Sequence, residues 1–151
     1  MRMNDSQRIP ASREKVWAAL NNPEILRQCI PGCQSLEQTA PNEMIATVVF
    51  KVGPVKATFG GKVTLSDLDP PNGYRISGEG SGGVAGFAKG GATVRLTADG
   101  ADVTILTYEV DAQIGGKLAQ LGSRLIDSTA KKLAGQFFES FGEVVGSAAI
   151  A

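Results

Sequence analysis

The 151-residue chain contains no histidine, and that absence removes more chemistry than any residue present suggests. Without imidazole there is no Ser-His or Cys-His nucleophile pair, no HExxH zinc site and no iron site built from histidines and a carboxylate. Cysteine is scarce too: Cys29 and Cys33 are the whole supply. Two are too few for the disulfide framework of a small secreted domain, and with no third thiol a closed structural zinc site cannot form within one chain. Their three-residue separation differs from that of CxxC redox and zinc pairs. Two packed thiols around the Pro31-Gly32 turn are therefore expected, with a reversible disulfide as the alternative.

An excess of either charge is also missing. Lys+Arg and Asp+Glu each number 15, and no face with the basic surplus that phosphate binding needs is visible, so no nucleic-acid partner is expected. The first twelve residues scatter Arg2, Asp5 and Arg8 among apolar ones and lack the apolar run of a signal peptide. No window approaches the ~18 consecutive apolar residues of a membrane span. These features lead us to expect a cytoplasmic protein with no integral span.

What the chain has in excess is glycine, 19 residues, nearly twice the ~7% average. Its length, with 42% hydrophobic and 20% charged residues, suits one domain over 1–151 with a real core. Ser12 reads as an N-cap for a helix carrying Val16, Trp17 and Leu20. Asn22 and Pro23 start a short second helix to about Gln28, which ends at Pro31 and Gly32. The period then changes to two. Met44, Ala46, Val48, Phe50 and Val52 share one strand face, and Val55, Ala57, Phe59, Gly61, Val63 and Leu65 the next, across a Gly53-Pro54 turn. Tyr74, Ile76, Gly78 and Gly80, then Ala92, Val94, Leu96 and Ala98, continue the meander. In the last strand, 102–114, Val103 and Ile105 have opposite parity to Leu106, Tyr108 and Val110, which predicts a bulge or a change of the covered face near Ile105. Lys117 to about Val145 reads as one long amphipathic helix.

Helix-helix, antiparallel strands and a closing helix make an α+β chain rather than a βαβ alternation. A curved sheet wrapped on one helix can enclose a cavity, and the small inward residues Ala46, Ala57, Gly61, Gly78, Gly80, Ala92 and Ala98 leave space for it.

The stretch from Val16 and Trp17 through Leu20, Pro23, Glu24 and Leu26 to Cys29-Ile30-Pro31-Gly32-Cys33 resembles the amino-terminal signature of the CoxG family, named for the G subunit of carbon monoxide dehydrogenase. That family lies in the START/Bet v 1-like (SRPBCC) superfamily. The resemblance implies a helix-grip fold, in which a curved antiparallel sheet wraps a long C-terminal helix with two short helices near the N-terminus. It implies an apolar cavity, suited to a quinone or lipid, and the missing histidine together with the lack of a suitably spaced acid pair leads us to expect no cofactor and no catalysis there. It also implies a role in recruiting or serving a carbon monoxide dehydrogenase-type molybdenum hydroxylase on the inner face of the cytoplasmic membrane. Relatives often carry an apolar carboxyl-terminal anchor, a pattern from which the closing Ser147-Ala148-Ala149-Ile150-Ala151 departs.

Ligand-binding residues expected on these grounds are Phe50, Val52, Phe59, Val63, Tyr74, Phe87, Leu121, Leu125 and Phe137, holding the ligand by desolvation. Phe87 is expected on a mobile flap, 82–91, that gates the chamber. Gly78-Glu79-Gly80-Ser81-Gly82-Gly83 satisfies GxGxxG literally, but a strand rather than a helix follows, so a dinucleotide site is not expected. Glu79, Glu109, Asp111 and Asp127 are the general acid/base candidates of an alternative small cyclase or dehydratase; a ligand-free protein adaptor is the other alternative.

Overall fold

The computed structural model describes residues 1–150, with side chains through Gly146, so the side chains of the closing Ser147–Ala151 segment lie outside the described residues. Seven strands form one antiparallel sheet in the order β1-β7-β6-β5-β4-β3-β2. They are β1 (Arg2–Ile9), β2 (Cys33–Ala40), β3 (Glu43–Val52), β4 (Val55–Asp69), β5 (Gly73–Ser81), β6 (Phe87–Ala98) and β7 (Thr104–Gly115). Helices α1 (Arg13–Leu20) and α2 (Pro23–Cys29) precede the meander, and α3 (Ser123–Ile150) closes the chain. The α+β order is the one expected from the element pattern, and the arrangement is the helix-grip fold that the resemblance implied.

Local chemistry sets the helix starts. The Ser12 hydroxyl accepts a hydrogen bond from the Lys15 amide at 3.3 Å, and Asn22 Oδ1 accepts from the Glu24 and Ile25 amides at 3.0 and 3.4 Å. Both satisfy amides that the first helical turn leaves without carbonyl partners. Across the sheet the register sets Ala46 beside Gly61, Val63 beside Gly78, Ile76 beside Ala92 and Val94 beside Tyr108. One continuous apolar face results.

Three expectations need correction. The polar segment Arg2–Ile9, taken only as lacking a leader, is an edge strand paired with β7, in which only Ile9 is fully buried. No bulge occurs near Ile105: the pairing runs unbroken from Ala98↔Thr104 to Phe87↔Gly115. Thr104, Leu106 and Tyr108 face inward instead. The buried Thr104 hydroxyl donates to the Ala11 carbonyl at 2.8 Å, which lets a polar residue occupy a position where an apolar one was sought. The closing helix is not one piece either. A 3₁₀ segment at Gly116–Leu121 is split from α3 by Gly122, whose φ of 93° an α-helix cannot contain.

α3, 28 residues long, spans about 42 Å and packs against β1, β3 and the two short helices. Its glycines near the C-terminal end allow a close crossing: a Cβ on Gly146 would stand 3.1 Å from Pro10 Cγ. The main core joins Ile9, Val16, Leu20, Leu26, Leu65, Leu96 and Leu106 to Phe141, which is fully buried. A second, smaller apolar cluster sits at the other end: Val52, Val55, Ala57, Phe59, Ala85 and Leu118, flanked by Phe50, Leu121 and Leu125. The space between the two clusters is where the site lies.

Candidate functional site

A cavity of about 630 Å³ lies between the concave sheet face and α3. Its floor is formed by the inward residues of β3 to β7, among them Ala46, Gly61, Gly78, Ala92 and Val110. The roof is Leu133, Phe137 and Phe138 of α3, and the side nearest α2 is closed by Leu26, Ile30 and Pro31. Small residues create the space directly. A Cβ on Gly78 would meet nothing nearer than 3.5 Å, so no neighbouring side chain occupies the room that this glycine leaves.

Two tyrosines belong to this lining. Tyr74 is 5% exposed, its ring edge-on to Trp17 at 5.3 Å, and burial pushes its phenol far above the ordinary value of 10.0. It is a neutral hydrogen-bond donor at any physiological pH. Tyr108 stacks on Phe138 at 5.2 Å. Burial raises its phenol, the nearby Asp5 charge adds to the rise, and a hydrogen bond with the Gln7 side chain opposes it. Lys62, Glu79 and Lys89 reach the cavity boundary, but their exposed side chains belong to the outer sheet face, opposite in parity to Gly61, Gly80 and Ala88.

The expected site residues separate into two groups. Phe50, Phe59, Val63, Tyr74 and Phe137 line the cavity. Val52, Leu121 and Leu125 lie instead in or against the smaller cluster, filling the end of the chamber. Phe50 and Phe59, stacked at 4.9 Å, belong to both groups. Phe87 stands elsewhere. It pairs with Ser81 on the outward parity of the sheet, covers the Cα of Gly115 and is 48% exposed, so it does not overlie the chamber. The flap that carries it is a short 3₁₀ turn, Gly83–Ala85, whose Ala85 is pinned in the smaller cluster. Sequence reading missed Leu133, Tyr108 and the α2 residues as lining, while Phe138 was among the phenylalanines it offered to either cavity wall or core. Tyr108 had the same parity as Leu106 and Val110 and was legible as inward on that signal.

No acid/base pair forms. Glu79, Glu109 and Asp111 are exposed on the outer face, and Asp127 is half-buried on α3 outside the cavity lining. The GxGxxG stretch runs from β5 through the 3₁₀ turn into β6, which leaves no helix N-terminus to receive a pyrophosphate. Among the described residues no three His, Cys, Asp or Glu side chains come together to hold a metal, and no helix is long and apolar enough to cross a membrane. Both thiols are free, Cys29 buried and Cys33 half-buried, and desolvation raises both.

A family model for the G subunit of carbon monoxide dehydrogenase (CoxG) matches residues 6–146. The comparison with curated proteins found no match. Among solved structures, a conserved protein from Geobacillus kaustophilus is 31% identical with a TM-score of 0.92, over 97% of this chain and 96% of that one. A START superfamily protein from Mycobacterium smegmatis is 16% identical with a TM-score of 0.66, over 98% and 96%. The Zhui aromatase/cyclase from Streptomyces sp. R1128 is 12% identical with a TM-score of 0.66, over 96% and 93%; at that identity the likeness is one of fold.

Proposed function

The chain belongs to the CoxG family of carbon monoxide dehydrogenase, and on that premise we propose that it is a non-catalytic carrier of an apolar molecule, a quinone or a lipid. In this reading it serves a molybdenum hydroxylase of the carbon monoxide dehydrogenase type at the cytoplasmic face of the membrane. The observation that carries the reading is the cavity of about 630 Å³ between sheet and helix. That volume falls within the ~300–1,000 Å³ usual for small-molecule sites, and its walls are almost entirely apolar. A ring or acyl chain placed there leaves water behind, which contributes roughly 25 cal/mol per Å² of apolar surface. Tyr74 supplies orientation: its un-ionised hydroxyl can donate to a quinone carbonyl or an ester oxygen without the burden of a buried charge.

An enzymatic reading has less to work with. Of the carboxylates it would use, Glu79 only borders the cavity from the outer sheet face and Asp127 stands outside the lining. Holding a molecule needs no such group.

Purified protein examined by native mass spectrometry and organic extraction is expected to carry, or to take up on titration, one apolar molecule per chain, with affinity rising with ligand apolarity. Neither bound ligand nor uptake across a series of quinones and lipids would sink the carrier reading.

A further inference from the structure

The 15 cations and 15 anions that cancel over the chain do not cancel over the molecule. Because the strands form a meander, the Gly53-Pro54 turn, the β5–β6 connection and the segment after β7 share one end of the sheet. The β2–β3, β4–β5 and β6–β7 turns share the other. That second end holds Glu43, Asp67, Asp69, Asp99 and Asp102, of which Glu43 pairs with Lys62, Asp69 with Arg95 and Asp99 with Arg8. The first end holds Lys51, Lys56, Lys117 and Arg124. All four are exposed, and among the described residues none takes part in an ion pair.

Their placement is regular. Lys51 adjoins Val52, Lys56 adjoins Val55, Lys117 adjoins Leu118 and Arg124 adjoins Leu125, so four of the segments in or against the smaller apolar cluster carry a cation as chain neighbour, the Ala85 segment being the exception. Lys51 and Lys56 stand directly opposite each other in the β3–β4 register, a like-charge pairing that costs stability and that no ion pair among the described residues offsets. Residues 44–66, 80–98 and 112–126 contain no Asp or Glu. Toward this end the next acids along the chain are Glu79, between Lys62 and Lys89 on the outer sheet face, Asp111, which pairs with Arg2, and Asp127 on α3. At the same end Val84 is 92% exposed, while its neighbour Ala85 is buried in the cluster.

We propose that this end docks on an anionic lipid bilayer, the four cations meeting headgroup phosphates and Val84 entering the headgroup layer. An unmatched apolar side chain among unpaired cations fits a bilayer, which accepts it in any orientation; a protein partner would need a pocket shaped for it. The docking rests on the carrier reading for its purpose. Phe50 and Phe59 belong both to the cluster behind this end and to the cavity wall, so parting that cluster would open the chamber toward the lipid.

Cosedimentation of the full chain with phosphatidylcholine vesicles, with and without phosphatidylglycerol, tests it. Binding is expected only with phosphatidylglycerol present, weakening as salt is added. The double variant Lys51→Glu/Lys56→Glu is expected to lower partitioning at least about tenfold, and Val84→Asp to lower it as well. The charge-matched change Arg8→Glu/Arg95→Glu at the opposite end is expected to leave it unchanged. Equal binding to neutral vesicles, no binding to either, or insensitivity to the Lys51/Lys56 reversal overturns the docking and leaves these cations to an acidic protein surface. Uptake of a fluorescent apolar probe from solution is read alongside. Vesicle binding without probe uptake supports the docking and fails only the carrier reading, whereas probe uptake without vesicle binding fails only the docking.

Discussion

Tyr74 shows how one side chain ties fold to function. Its phenol stays protonated because an ionised oxygen would lie in an apolar chamber, so its folded pKa exceeds the ordinary 10.0. For an acid raised by folding, the native state holds its proton longer than the unfolded chain. That part of the stability is whole below pH 10 and declines as the pH climbs through and past it. Denaturant titrations of the native chain are expected to show this alkaline decline, and Tyr74→Phe, which keeps the ring against Trp17, to lessen it. An equal decline in the variant would place the phenol in water. The inward parity of Tyr74 was legible in the sequence from Ile76, Gly78 and Gly80. The position of Phe87 was not, because a residue at a strand's first position takes its parity from the pairing partner, here Ser81, rather than from its neighbours in the chain.

Among the elements, the Cys29–Cys33 turn is the most exacting. Gly32 has φ +76°, and a Cβ there would lie 1.9 Å from the Val49 carbonyl oxygen. Gly32→Ala is therefore expected to cost at least about 1–3 kcal/mol in urea unfolding. Gly78→Ala, where a Cβ would make only ordinary van der Waals contacts, is expected to be neutral or to gain up to about 1 kcal/mol. Similar losses for both would mean that Gly32 holds no special backbone. Elements with strong periodicity or a capping residue, such as α1, α2 and β3 to β6, could be read in advance. β1 could not, since most of Arg2–Ile9 faces water and its place is fixed by β7, about a hundred residues away. The break at Gly122 was also hidden, because Leu118, Leu121 and Leu125 keep helical spacing across a glycine whose φ, not its identity, interrupts the helix.

At the scale of the molecule, two separations stand out that no local pattern carries. Apolar packing divides into a large core around Phe141 and a small cluster at the far end of α3, with unfilled space between them. Charge divides likewise, the acids of the turns at one end facing unpaired lysines at the other. Composition gave a net charge of zero and so concealed the second separation; only the meander's alternation of turns reveals it. Glycine abundance, by contrast, was a correct sign of the first, since Gly61, Gly78 and Gly80 line the chamber. The most direct measurement is a titration of the native chain and of Ala92→Phe with one short-chain quinone, followed by intrinsic fluorescence and set beside their thermal unfolding. Ala92 faces the chamber, so the added ring should occupy the ligand's space with little loss of stability. A carrier predicts saturable binding by the native chain, weakened at least about tenfold in the variant at a closely similar melting temperature. Equal affinity in the two chains would mean that the cavity does not hold the ligand.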